Sequence, residues 1–209
     1  MIRWCRRCWP KRACKFCSFE FCFPTMRQRH SHEQVSLAGS LLLAHPALRD
    51  LNFRRSVILM STHSADGAMG VVLNRPLGKR LGELNGEFAL SPLAGVPLFG
   101  GGPVEPGQLL LAAWRARDDG FQLQFGLEPD KAGQLTVEPD TQVRAFLGYS
   151  GWSAGQLEGE LKQATWIVTA MPPDLLTQPS GPALWRSILS SQGSEWKLLA
   201  GEPDDPARN

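Results

Sequence analysis

The stretch Leu147-Gly148-Tyr149-Ser150-Gly151-Trp152-Ser153-Ala154-Gly155-Gln156-Leu157-Glu158-Gly159-Glu160-Leu161 reads as strand, tight turn, helix. Val143, Ala145, Leu147 and Tyr149 fall on one side of an extended segment under the period-two rule. Gly148 and Gly151 then bend the chain, and Ser153 forms an N-cap whose capping-box partner, Gln156, follows three residues later. Beyond it Leu157, Leu161 and Ala164 line one helical face, with Glu158 and Lys162 spaced to pair on the surface. Such a corner exposes backbone N–H groups and the Tyr149–Trp152 aromatic pair, a common place for a site where strands and helices mix.

Working outward, residues 37–44 read as a buried strand closed by His45-Pro46, since Pro46 cannot donate to a sheet ladder. Ser56–Ser61 and Ala68–Leu73 form a hairpin around the turn His63-Ser64-Ala65-Asp66-Gly67. Both arms are too apolar to face water on either side, so the hairpin belongs in the middle of a sheet. Residues 77–97 are looser, with a short helix near Leu81–Leu84. Leu98-Phe99 leads into Gly100-Gly101-Gly102-Pro103 and an apolar strand from Leu109 to Trp114. Asp118-Asp119-Gly120 turns the chain, and Phe121, Leu123, Phe125 and Leu127 alternate with polar or small residues as in a half-buried strand. Trp166–Thr169 is a further strand, and Ser180-Gly181-Pro182 opens a helix carrying Leu184, Trp185, Ile188 and Leu189 that Gly193 stops.

The net charge of +2 conceals an asymmetry. Residues 1–29 hold eight Lys/Arg against Glu20 alone, a net of +7, and the remainder holds fourteen Lys/Arg against nineteen Asp/Glu, a net of −5. All five cysteines lie in the basic leader, so the acidic body has none to staple its core, which fits a reducing compartment. Two Cys-x2-Cys pairs, Cys5 with Cys8 and Cys14 with Cys17, are a weak candidate zinc set, because only five residues separate pairs that ribbon sites hold about 12 to 20 apart. The simpler reading is a chain that starts at Met26, with residues 1–32 a leader that is disordered or untranslated, 33–200 a single domain and 201–209 a frayed tail. No apolar run approaches the ~20 residues of a bilayer span, so a cytoplasmic protein without membrane contact is expected.

Four constellations bear on chemistry. Gly148-Tyr149-Ser150-Gly151-Trp152 resembles a nucleophile elbow, but Trp152 replaces its last glycine, and every histidine precedes Ser150 where the hydrolase order places His last. Ser150 is therefore read as a turn serine. Gly100–Gly102 could bring backbone to a phosphate, yet it lacks the Gly-Lys-Ser/Thr of a P-loop, and a tight turn between strands is the better reading. His63-x-x-Asp66 and His45 with Asp50 offer no third metal ligand. Asn74-Arg75 puts a guanidinium directly off a buried strand, either to bind a carboxylate or phosphate or to cap the strand end through backbone carbonyls. The body has no basic stripe, so specific DNA binding is not expected of the domain alone.

Four stretches in order carry a resemblance: Gly39-Ser40-Leu41-Leu42-Leu43-Ala44-His45-Pro46, Gly67-Ala68-Met69-Gly70-Val71-Val72-Leu73-Asn74-Arg75-Pro76, Phe99-Gly100-Gly101-Gly102-Pro103-Val104, and Leu147–Trp152 through Gln156-Leu157-Glu158. By these motifs residues 33–200 resemble the AlgH/YqgE family of bacterial proteins. The resemblance implies an α+β fold with a mixed, strongly twisted sheet curling toward a partial barrel, flanked by helices. It implies no agreed activity and no cofactor; one branch carries the label of a transcriptional regulator. The leader is foreign to the family pattern, and the family commonly has a small residue at position 150. The shared polar positions are Asn74, Arg75, Gly100, Gly101, Gly102, Tyr149, Trp152, Gln156 and Glu158, which become candidate ligand contacts. A non-catalytic regulatory protein that binds an unknown protein or small-molecule partner is the expected function. A small enzyme acting on a phosphorylated or acyl substrate at the Gly148–Trp152 corner is the alternative. A single site requires Asn74, Arg75 and the Tyr149–Trp152 corner to converge.

Overall fold

The computed structural model describes residues 36–117, 120–175, 178 and 180–201. The leader with its cysteines, the Asp118-Asp119 turn and the tail beyond Gly201 lie outside them. No described helix is long and apolar enough to cross a membrane.

Strand β1 (Leu41–Ala44), β2 (Val57–Ser64) and β3 (Gly67–Val72) form the heart of the sheet. Val57, Ile58, Leu59 and Met60 are at most 1% exposed, so the continuous apolar run is buried on both faces, as the sequence requires. The first strand begins at Leu41 rather than residue 37, because the chain turns at Ala38-Gly39. The chain continues through β4 (Pro76–Arg80), a 3-10 turn at Leu81–Glu83, α1 (Gly86–Ala89), β5 (Pro97–Gly100), β6 (Val104–Arg117) and β7 (Gly120–Phe125). It ends with α2 (Pro129–Leu135), β8 (Thr141–Ser153), α3 (Gln156–Lys162), β9 (Trp166–Thr169), α4 (Pro182–Ser190) and α5 (Ser194–Ala200). The sheet order is β4-β5-β8-β3-β2-β1-β9, with β6 pairing β8 and β7 on a branch. Among the described strands only β5 with β8 is parallel.

This is the expected mixed, curled α+β sheet, a half-barrel with five helices among the described residues. Packing shows how it curls. One face carries a single cluster drawn from both halves, including Leu41, Leu59, Val71, Phe99, Trp114 and Phe146, and α4 covers it with Leu184, Trp185, Ile188 and Leu189. The Trp185 indole N–H donates to the Ala44 carbonyl at 2.8 Å, fixing the docking of α4. The other face splits into two clusters, one over β1–β3 with Leu157 of α3, the other over β5, β6 and β8 with Ala132 of α2. A shared inner cluster and divided outer ones are what a sheet bent across its middle produces.

The bend is built by β8. Its first half pairs β5 and β6, and its last residues, Ser150–Ser153, pair β3. Between them Gly148 takes a left-handed conformation (φ 68°) opposite a bulged segment of β6, where the register jumps from Val104 to Leu109. This corrects the opening reading twice. The strand does not turn at Gly148 or Gly151 but runs on to Ser153, and the turn falls at Ala154-Gly155. Nor do Val143, Ala145, Leu147 and Tyr149 share a face: the first three pack on the outer cluster, Tyr149 on the inner one. One left-handed residue shifts the alternation by a single step, reversing every side chain after it.

The N-cap of α3 is accordingly Gly155 rather than Ser153. Gln156 still reaches back, its Oε1 accepting from the Ser153 N–H and hydroxyl at 3.1 Å each.

Candidate functional site

Asn74 is 5% exposed and uses its whole amide group. Its Oδ1 accepts from the Val57 N–H at 2.9 Å, and its Nδ2 donates to the carbonyls of Arg55 (2.8 Å) and Gly181 (3.1 Å). One side chain thus joins the start of β2, the loop before it and the N-cap of α4. Arg75 follows. Its Nη2 donates to the carbonyls of Asn52 and Arg54 at 3.1 Å each, and its own carbonyl accepts from the Gly100 N–H at 2.9 Å. Both residues therefore cap backbone, one of the two readings their position left open.

They also frame a cavity of about 360 Å³ lined by Arg54, Arg55, Asn74, Arg75, Pro76, Gly181 and Pro182. Three arginines are among its lining residues, and no carboxylate is among the described ones. Partial burial lowers the pKa of Arg75, the neighbouring Arg54 lowers it further, and Asp50 partly offsets both. The Asp50 carboxylate is occupied in its own turn, accepting from the N–H groups of Asn52 and Phe53. Arg55 sits over the Trp185 ring, 5.4 Å from its centroid, with a left-handed backbone (φ 52°). That conformation is strained for a side chain of its size and is held by the Asn74 bond to its carbonyl. Helix α4 begins at the cavity with Gly181 as N-cap, Pro182 in its first turn and no side-chain cap bond, leaving the positive end of its dipole over the opening.

The other candidates divide. Gly101 lies in the fork where β8 leaves one half of the sheet for the other. Its N–H donates to the Leu147 carbonyl at 2.7 Å, and its carbonyl accepts from the Val72 N–H at 2.8 Å and the Ser150 hydroxyl at 3.3 Å. A Cβ on Gly101 or Gly102 would drive into the β8 backbone, so this triplet is a close chain crossing and not an open phosphate cradle. Ser150 is fully buried with its hydroxyl engaged there, so the alternative of acyl chemistry at this corner loses its nucleophile to substrate access. Ser150→Ala is expected to cost about 1 kcal/mol in urea unfolding, the net value of one hydrogen bond. A loss of several kcal/mol would mean that the hydroxyl does more than complete the fork.

Trp152, Gln156 and Glu158 lie elsewhere. Trp152 pairs with Ala68, six residues before Asn74 on the same run of chain, which places them roughly 20 Å apart. Its indole N–H donates to Glu160 Oε2 at 2.9 Å, the Trp166 indole donates to the same oxygen at 2.7 Å, and Gln156 Nε2 donates to Oε1 at 3.0 Å. Beside them His63 Nδ1 accepts from the Leu37 N–H at 3.1 Å, so Nε2 carries the proton donated to Glu158 at 3.0 Å. This is a closed network that seats α3 on the sheet. The single convergent site is therefore not formed: Asn74, Arg75 and Gly100 stand together, while Trp152, Gln156 and Glu158 belong to another corner.

Sequence reading passed over Arg54, Arg55 and the α4 N-terminus, which complete the cavity, and Glu160, which receives both indoles. Consecutive arginines before a buried strand were the available signal for the first two. Among the described residues no group of three His, Cys, Asp or Glu could hold a metal.

A curled half-barrel of mixed strands with a cationic cavity at the end of its central hairpin defines an α+β class. Within it the chain belongs to the AlgH-like family, whose sequence model matches residues 41–197. It is 38% identical over 190 residues to a UPF0301 protein of Streptomyces avermitilis, covering 85% of this chain and 97% of that one. A UPF0301 protein of Mycobacteroides abscessus is 40% identical over 188 residues, covering 82% and 88%. Among solved structures, the AlgH protein of Pseudomonas aeruginosa superposes with a TM-score of 0.59 at 25% identity, covering 81% of this chain and 96% of that one. A protein of Corynebacterium diphtheriae gives a TM-score of 0.61 at 25% identity, covering 79% and 92%.

Proposed function

We propose that this chain is a non-catalytic cytoplasmic protein that binds a small anion, a phosphate or carboxylate group of a metabolite, and acts in regulation through the occupied form. The observation carrying this reading is the convergence of Arg54, Arg55 and Arg75 on a cavity whose described lining residues include no carboxylate, at the N-terminus of α4. Like charges gathered in a partly desolvated space repel one another, and an anion relieves that repulsion while accepting charge-assisted hydrogen bonds. The regulatory part follows from where the cations sit. Arg54 and Arg55 are on the loop before β2, which Asn74 and Arg75 hold through backbone carbonyls, so occupancy of the cavity acts directly on a surface loop. A cytoplasmic setting is supported by the lack of cysteine in residues 26–209.

The test is thermal unfolding of the full chain in inorganic phosphate against chloride at matched ionic strength. Phosphate is expected to raise the midpoint by roughly 2 °C or more once well above its dissociation constant. Arg54→Ala removes an exposed cation and keeps the backbone that Arg75 holds, and is expected to weaken phosphate about tenfold while leaving the midpoint in chloride within a degree or so. Equal midpoints in the two salts, or an unchanged phosphate response in the variant, would overturn the reading.

A further inference from the structure

Arg144 differs from Arg75 in one decisive respect. Arg75 gives its N–H groups to two carbonyls, whereas Arg144 has no hydrogen-bond acceptor or carboxylate among the described residues. Its guanidinium lies instead against two rings, 4.9 Å from the centroid of Phe99 and 4.9 Å from that of Trp114. Contacts of this kind use the π faces of the rings and leave the N–H groups of the guanidinium to bond elsewhere. Next to it, the buried Trp114 indole N–H also lacks an acceptor. Burial pushes the Arg144 pKa down to about 10, so the group is still charged at neutral pH but poorly solvated.

Arg144 lines a second open cavity, about 440 Å³, where β5 and the start of β8 diverge. Pro92, Val96, Pro97, Phe99 and Val143 supply apolar walls. Of the polar lining side chains, Thr136 donates to the Gly133 carbonyl, and Thr141 is occupied by Arg115 Nε and the Pro139 carbonyl. Gln142 and Arg144 remain uncommitted. An apolar cavity of this volume with two unengaged polar groups has the composition of a small-molecule site. One guanidinium balances one negative charge, and its free edge matches the two oxygens of a carboxylate.

We propose that Arg144 anchors a second ligand site, distinct from the Arg54–Arg75 cavity, which takes an organic acid with one carboxylate and a flat apolar body. The carboxylate lies against the N–H edge of Arg144, Gln142 contacts it from the rim, and the body rests on Pro92, Val96 and Pro97. The two cavities share no lining residue, so each can fail alone.

The test uses benzoate as probe on the full chain, with benzamide as its neutral counterpart, in thermal unfolding and titration calorimetry. Benzoate is expected to raise the midpoint by roughly 3 °C or more at ten times its dissociation constant, and benzamide by much less. Arg144→Met keeps a long apolar stem and sacrifices no hydrogen bond, so it should fold, and it should lose the benzoate response. Arg144→Lys retains the charge without the fork and should weaken benzoate at least about tenfold. Arg54→Ala should respond to benzoate like the unaltered chain, whatever happens to its phosphate response. The proposal is overturned by no benzoate response, by equal responses to benzoate and benzamide, by a full response in Arg144→Met, or by an affinity in Arg144→Lys equal to that of the unaltered chain.

Discussion

Gly148→Ala is expected to lower the unfolding free energy by about 4 kcal/mol, a large part of the 5–15 kcal/mol typical of a domain. Two effects add at this position. A left-handed backbone at φ 68° disfavours any residue with a Cβ, at about 1 to 2 kcal/mol. An alanine Cβ would also stand 2.6 Å from the Gly102 carbonyl oxygen and 2.8 Å from that of Val104, both backbone atoms that cannot swing aside. Gly155→Ala isolates the first effect. Its φ of 74° is similar, but nothing lies within 4 Å of the added carbon, so about 1 kcal/mol is expected there. Urea unfolding of both variants measures the difference. Equal small losses would show that the β6 bulge is not packed tightly against β8.

Asn74→Ala is expected to cost about 3 kcal/mol and to abolish the phosphate response of the Arg54–Arg75 cavity. The substitution leaves the buried Val57 N–H without its acceptor and strips the carbonyls of Arg55 and Gly181 of a donor. It also frees the loop that presents Arg54 and Arg55, so loss of binding should exceed what instability explains. Arg75→Ala removes bonds to two carbonyls at an exposed edge, and should cost only about 1 kcal/mol. If the two variants lose equal stability, Asn74 is not the tie that the geometry makes it.

The parts of the fold legible in the sequence are those buried on both sides. The β2–β3 hairpin announces itself because Val57–Met60 and Val71–Leu73 leave no polar face, and it lies at the sheet centre as expected. Strand β4 reads as loose chain in the sequence because each of its residues is exposed, so alternation carries no signal there. Helices α2 and α5 are seven residues each, too short to display a full apolar stripe. Helix α3 was legible but its start was misplaced, since two glycines inside a continuing strand look like a turn. At the site, Asn74-Arg75 stood out as polar groups ending a buried strand. Their partners did not, because Gly181 lies 107 residues away and is brought in by α4 docking on the inner face. Arg144 was hidden for a related reason. With Val143 and Ala145 facing a core, position 144 reads as solvent-facing, yet in a curled sheet the opposite face is also walled by aromatic rings.

The placement of β8 sets an order on assembly. It lies between β5 and β3, strands synthesised well before it, and is hydrogen-bonded to both. As the polypeptide leaves the ribosome, the central hairpin can form early, but its open side waits some eighty residues for Ser150–Ser153 to arrive. Neither lobe can be completed alone, so a fragment truncated before Thr141 should expose a bare strand edge and aggregate, and refolding should be slow for a chain of this size.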